Sequence, residues 1–191
     1  MLNLLLFGPP GSGKGTQSQK IQEKYKLSHI STGELIRNEI AEETEIGRQL
    51  KKLIGEGHYA SDEIALKLLE KRIKELANPY GYVFDGFPRT TAQAPMLDEL
   101  LAKFGSSVTA MLSLEVPDQT LVERLSNRAG ELGRPEDQNE TVIKLRMKTY
   151  QDSTAKVACF YQENGKLHKI NGLGTVNEVF ERIEELVEAF K

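Results

Sequence analysis

The sequence offers one thiol, Cys159, which excludes an internal disulfide framework and fits a reducing cytoplasm. That cysteine is expected to act as a small, buried apolar side chain. No apolar run approaches the ~18 residues of a membrane span, and Met1-Leu2-Asn3-Leu4 carries no basic leader, so a soluble cytoplasmic protein is expected. Positive charge is in short supply: 25 Lys and Arg against 28 Asp and Glu leave a net charge of −3 and a pI near 5.8. There is no basic field for nonspecific nucleic-acid binding, and any phosphate site has to gather its cations locally. Internal repeats and low-complexity stretches are absent as well. With 191 residues, 39% of them hydrophobic, the chain has room for one substantial core with small insertions.

The stretch around which the rest is organised is Leu4-Leu5-Leu6-Phe7-Gly8-Pro9-Pro10-Gly11-Ser12-Gly13-Lys14-Gly15-Thr16. An apolar run breaks into glycine, and the glycines break into a helix-compatible stretch from Thr16 to Lys24, so a buried strand feeds a turn and then a helix N-terminus. Amides at a helix start lack intrahelical acceptors and carry the positive end of the dipole, and glycines let the loop wrap an anion closely. The spacing Gly8 to Gly13-Lys14 is that of a P-loop, except that Gly15 intervenes between the lysine and the hydroxyl residue, here Thr16.

Further along, His29-Ile30-Ser31 reads as a short strand ending at the capping pattern Ser31-Thr32-Gly33-Glu34. Charged, helix-prone sequence from Glu34 to Gly57 has few apolar anchors and reads as a small helical insertion. Ser61-Asp62-Glu63 opens a helix to about Leu76, with Ile64, Leu68, Leu69, Ile73 and Leu76 on one face. Tyr82-Val83-Phe84 is a strand ending in Asp85-Gly86-Phe87-Pro88-Arg89. A helix carries Met96, Leu97, Leu100, Leu101 and Phe104, and a fourth strand spans Val108 to Val116. A helix then runs from Pro117-Asp118 to about Arg128, a loop from Ala129 to Asn139, and helical sequence from Glu140 to Tyr161 with an irregularity near Asp152-Ser153-Thr154. Leu167 to Asn171 is the last strand. The capping box Thr175-Val176-Asn177-Glu178 opens a helix burying Val179, Phe180, Ile183, Leu186, Val187 and Phe190. Strands alternating with helices predict a parallel α/β sheet covered on both faces, with ligands beyond the strands' carboxyl ends. The glycine loop, Ser31-Thr32-Gly33, Asp85 to Arg89 and Asn171-Gly172 all fall at such ends.

Arginine placement sharpens this. Nine of the 25 basic residues are arginines, yet 121–146 holds Arg124, Arg128, Arg134 and Arg146 against a single lysine, Lys144. Guanidinium groups grip phosphate oxygens bidentately, which lysine cannot do. The histidines, His29, His58 and His168, sit at no position that calls for acid–base chemistry.

Taken together, Gly8 to Gln17, Ser31-Thr32-Gly33-Glu34-Leu35-Ile36-Arg37, and Asp85-Gly86-Phe87-Pro88-Arg89-Thr90 through Gln93 resemble the nucleoside monophosphate kinases, most closely adenylate kinase in its short-lid form. The resemblance covers nearly the whole chain. It implies a three-layer α/β/α P-loop fold with a five-stranded parallel sheet: a core of residues 1–30, 61–127 and 139–191, a monophosphate-binding helical insertion at 31–60, and a short lid at 128–138 without room for a Cys-ligated zinc knuckle. It also implies Mg²⁺-dependent, reversible transfer of the terminal phosphoryl group of ATP to AMP by a monomer whose partners are ATP, AMP and ADP, not nucleic acid or membrane. By motif matching, Gly11, Ser12, Gly13, Lys14, Gly15 and Thr16 would hold ATP, with Arg128 near the adenine face and Gly174 near the base. Thr16 and Asp85 would lie at Mg²⁺, the latter through water. Thr32, Arg37, Gly86, Phe87, Pro88, Arg89 and Gln93 would form the AMP site, with His58, Tyr59 and Ala60 standing where the family has a short aliphatic pair. Lys14, Arg89, Arg124, Arg128, Arg134 and Arg146 would supply the charge for transfer, Arg134 and Arg146 closing over both phosphate groups. One extra residue separates Arg134 from Arg146, and Pro135-Glu136-Asp137 replaces the customary acidic pair.

Two other readings remain at this stage. A pyrimidine monophosphate kinase shares the architecture, but its relatives carry other residues where Thr32 and Gln93 match the adenine-reading positions. A P-loop switch would need an Asn-Lys-x-Asp guanine reader, which is absent, and a glycine three residues after Asp85, where Pro88 stands.

Overall fold

A computed structural model describes residues 1–56, 58–132 and 139–190, with 128–132 described by backbone alone. The chain runs β1 (Leu2–Phe7), α1 (Lys14–Tyr25), β2 (Ser28–Ser31), α2 (Thr32–Ala41), α3 (Glu45–Gly55), α4 (Asp62–Leu76), β3 (Gly81–Asp85), α5 (Gln93–Lys103), β4 (Ala110–Glu115), α6 (Asp118–Leu132), α7 (Glu140–Asp152), a 3₁₀ turn at Thr154–Lys156, α8 (Val157–Glu163), β5 (Leu167–Asn171) and α9 (Val176–Glu188). The five strands form one parallel sheet in the order β2-β3-β1-β4-β5, the predicted α/β class. β1 lies at the centre, and the chain crosses to β2 and β3 on one side before β4 and β5 on the other. Carboxyl ends on both sides of β1 therefore open into one crevice.

β1 shows why both faces are covered. Leu5 and Phe7 point into one core with Leu69 and Ile73 of α4, Leu97 and Leu101 of α5, and Val157 and Tyr161 of α8. Leu4 and Leu6 point into the other, with Ile21 of α1 and Val179, Ile183 and Val187 of α9. Alternating side chains of an uninterrupted apolar strand thus fill two cores at once. A third, small cluster joins Ile36 of α2 and Leu50 of α3 to Ala60 and Leu68, giving the charged insertion an apolar floor of its own.

Several local expectations are corrected. β4 starts at Ala110 rather than Val108, because Thr109 is used to tie down Asn3: its amide donates to the Asn3 carbonyl at 2.8 Å and its hydroxyl accepts from the Asn3 amide at 3.1 Å. α6 continues to Leu132 through the segment 129–132 predicted as loop. Ala129, Glu131 and Leu132 are strong helix formers, and one glycine does not stop them. Cys159 is exposed, not buried: Val157 and Tyr161, four apart on α8, take the inward face. Leu186 and Phe190 are only partly buried, since the inward stripe of α9 is Val179, Phe180, Ile183 and Val187. The irregularity expected near Ser153 is the break between α7 and the 3₁₀ turn. Among the described residues, no helix is long and apolar enough to cross a membrane.

Candidate active site

The glycine loop follows from the backbone at the end of β1. Gly8 adopts φ 144°, and a Cβ there would stand 2.7 Å from Ser12 Oγ and 2.9 Å from the Leu114 carbonyl oxygen, so no other residue fits. The Ser12 amide donates to the Pro9 carbonyl at 3.1 Å, closing the turn. Gly13 then enters α1 in the left-handed region and contributes no side-chain cap, leaving the first-turn amides for an anion. Lys14 Nζ donates to the carbonyls of Gly8 at 2.7 Å and Pro9 at 3.0 Å, which bends the side chain back over the loop. The Ser12 hydroxyl is buried and, among the described residues, has no hydrogen-bond partner. Thr16 stands exposed on the first turn of α1, within the cleft that the loop borders.

Asp85 ends β3 beside this loop in the same cleft. Its Oδ2 lies 3.9 Å from Nε2 of His29, which projects from β2. A carboxylate and a threonine hydroxyl on the cleft wall are hard oxygen donors of the kind that hold Mg²⁺ largely through water and substrate phosphates. Among the described residues, no group of three or more His, Cys, Asp or Glu side chains comes together as a metal cluster.

A second recess adjoins the loop, under the helical insertion. Ser31 caps α2, its Oγ accepting from the Glu34 amide at 3.3 Å. The cap brings the buried Thr32 against the β3 end, where its hydroxyl donates to the Gly86 carbonyl at 2.8 Å. That carbonyl also accepts from Arg89 Nε at 2.6 Å. The Arg89 guanidinium lies 4.4 Å from the ring centre of Tyr59, and the Tyr59 hydroxyl meets Thr154 Oγ1 at 3.3 Å. Gln93, 3% exposed, accepts from the Arg89 amide at 2.6 Å and donates to Asp62 Oδ1 at 2.6 Å.

The recess is lined by Thr32, Arg37, His58, Tyr59, Ala60, Gly86, Phe87, Arg89, Gln93 and Arg146. These are the residues proposed from sequence for the monophosphate, apart from Pro88 and Arg134. Pro88 borders the larger cleft instead, after a cis Phe87–Pro88 peptide. Gly33, Ile36, Ile54 and Ala65 complete the wall, and sequence reading missed the last three: they look like ordinary apolar positions of their helices. Asp62 was missed for a similar reason, since it reads as a helix start.

The larger cleft joins both regions. Gly11, Ser12, Gly13, Lys14, Gly15 and Thr16 line it together with Arg37, Arg89, Arg124, Arg146 and Gly174. Its walls carry Lys14, Arg37, Arg72, Arg89, Arg124 and Arg146 against the carboxylates of Glu34 and Asp85, so an acidic chain concentrates positive charge here. Arg124, on α6, donates to the Gly172 carbonyl at 3.3 Å. Arg182, on α9, donates to the carbonyls of Asn171 and Leu173, each at 2.7 Å. Together they hold the loop that presents Gly174, a role for Arg182 without a sequence signal. The side chain of Arg128 and all of Arg134 lie outside the described residues, as do Pro135, Glu136 and Asp137.

Residues 6–166 match the family model for adenylate kinase. The chain is 42% identical to an adenylate kinase of Flavobacterium psychrophilum over 187 residues, 98% of each chain. It is 44% identical to one of Porphyromonas gingivalis over 191 residues, 100% of this chain and 98% of that one. With one of Xylella fastidiosa the identity is 46% over 182 residues, 95% of this chain and 97% of the other.

Proposed function

The chain belongs to the adenylate kinase family, and from that premise we propose how its own residues perform the reaction. It is a phosphotransferase that moves the terminal phosphoryl group of ATP to AMP, giving two ADP, in either direction. The attacking oxygen belongs to a phosphate already ionised at neutral pH, so no general base is needed and the work is positioning and charge stabilisation. One observation supports the assignment of sites: the glycine loop and the recess under the insertion open into a single cleft, whose walls carry arginines from α2, α6, α7 and the β3–α5 turn.

In this reading the amides from Gly11 to Thr16 and the Lys14 ammonium hold the triphosphate of ATP, and the Gly174 loop backs its base. Thr32 and Gln93 receive the adenine of AMP, between Ile36, Ile54, Ala60 and Phe87. Arg37 and Arg89 hold its phosphate. Arg124 and Arg146 neutralise the group in flight, joined by Arg128 and Arg134. Thr16, and Asp85 through water, would hold Mg²⁺, which would supply charge neutralisation on the phosphates of ATP. The insertion at 31–60 rests on its own small apolar cluster, which suits a part that closes over AMP, with 128–138 as the lid over ATP. A monomer suits a cleft built by one chain, and a reducing cytoplasm suits a chain with the single cysteine Cys159.

The test is ADP formation by the purified protein with ATP and each monophosphate in turn. Turnover with AMP far above CMP and UMP is expected, and a preference for a pyrimidine monophosphate would overturn the assignment of Thr32 and Gln93.

A further inference from the structure

Gln93 and Asp62 are the first residues of α5 and α4, and the fold sets these two helix starts side by side. Gln93 is 3% exposed, and each of its amide atoms is claimed by a protein partner that allows one orientation only. The Arg89 amide can only donate, so the atom it meets at 2.6 Å has to be Oε1. The Asp62 carboxylate can only accept, so the atom it meets at 2.6 Å has to be Nε2. Turning the amide over would set two donors against each other at Arg89 and two acceptors against each other at Asp62. The backbone of Gln93 is fixed too, its amide donating to Thr90 Oγ1 and the Thr90 carbonyl, each at 3.2 Å.

One capacity then remains on each atom: an N–H on Nε2 and a lone pair on Oε1. An adenine edge offers an amino donor beside a ring acceptor, which matches that pair. A 6-oxo purine such as hypoxanthine offers a carbonyl acceptor beside a ring N–H, the reverse pattern, and would be accommodated only by a turned amide.

We propose that Asp62 is a specificity-determining residue. Without touching the nucleotide, it pins the Gln93 amide in the orientation that accepts a 6-amino purine monophosphate and rejects a 6-oxo one. The proposal rests on the reading that Gln93 meets the base of AMP.

The experiment compares kcat/KM for AMP and for IMP, with ATP saturating, in the wild type, Asp62→Ala, Asp62→Asn and Gln93→Ala. Asp62→Ala should narrow the AMP-to-IMP ratio by about tenfold, whereas Asp62→Asn, which keeps an acceptor, stays within about threefold of wild type. Asp62→Ser, whose hydroxyl falls about one bond short of Gln93 and which leaves the helix cap Ser61 in place, repeats the test in case the alanine variant folds poorly. Adding Asp62→Ala to Gln93→Ala should leave the ratio where Gln93→Ala alone puts it. If Asp62→Ala and Asp62→Ser lower both substrates in proportion, Asp62 is only the start of α4 and the proposal is overturned. A ratio that collapses in Gln93→Ala but holds in the Asp62 variants sinks the proposal alone. An unchanged ratio in Gln93→Ala removes the base-reading assignment itself.

Discussion

The Arg89 guanidinium stacks over the Tyr59 ring at 4.4 Å from its centre while its Nε donates to the Gly86 carbonyl at 2.6 Å. A flexible cation is thereby held in one place at the mouth of the recess. A ring under a guanidinium contributes about 0.5–2 kcal/mol depending on desolvation. Tyr59→Leu should therefore raise KM for AMP roughly two- to thirtyfold with KM for ATP unchanged, and Tyr59→Phe should keep most of the wild-type value. Equal losses in the two variants would place the effect in the Tyr59–Thr154 contact instead.

Lys14 and Arg89 are each held by backbone carbonyls at the rim of the cleft, not within either main core. Lys14→Ala and Arg89→Ala should each lower kcat by about 10²–10³, the loss typical of one charge-stabilising donor, with far-UV circular dichroism and thermal midpoint close to wild type. Arg89→Lys should recover only part of the loss, because an ammonium is a point charge without the planar two-donor fork of a guanidinium. Near-full turnover in either alanine variant would remove that residue from the mechanism.

Transfer to AMP and loss of phosphate to water compete for the same ATP, and a cleft that excludes water only when both nucleotides are in place favours the first. Steady-state ADP release from ATP alone should be a small fraction of the rate with AMP present. Hydrolysis that rivals transfer would contradict closure of the insertion and lid as a condition for chemistry.

Away from the site, Asp98 on α5 has a buried oxygen that finds no hydrogen-bond partner among the described residues. Burial raises its pKa above the ordinary 3.8, with Lys166 pulling the other way. The native state thus holds this proton more tightly than the unfolded chain, so the contribution of Asp98 to stability declines as pH rises above 3.8. Asp98→Asn removes that penalty. Its advantage should be smallest below pH 3.8, where the carboxyl is protonated in both states, and grow as the pH rises above it, appearing as a higher Tm for the variant at neutrality. Denaturation at several pH values checks this, and a pH-independent difference would contradict it.

What could be read in advance and what could not divide along physical lines. Glycines at forced backbone angles, such as Gly8, and apolar runs such as Leu4 to Phe7 are local, and they located the loop, the sheet and the cleft. Capping by Ser31 and Thr175 was local too. The Asp62–Gln93 bond joins residues 31 positions apart, and neither residue type at its own position signals the other. Tyr59 under Arg89 is equally a product of the fold, because only the packing of the segment after α3 against the β3 end brings them together. Cys159 was misjudged because a seven-residue helix has too few apolar positions for its inward face to be read from spacing. The helical run of α6 past Arg128 escaped notice because Gly130 and the glycine and proline just beyond it look like loop punctuation.

The central claim is that two nucleotides lie phosphate to phosphate across one cleft, held by fixed cations. A crystal structure with a bisubstrate dinucleotide, two adenosines joined through five phosphates, tests it most directly. One adenine is expected between Thr32 and Gln93, the other beside Gly174, and the phosphate chain along the 8–16 loop in contact with Lys14, Arg37, Arg89, Arg124 and Arg146. Phosphates bound elsewhere, or those guanidinium groups turned away from them, would contradict the account.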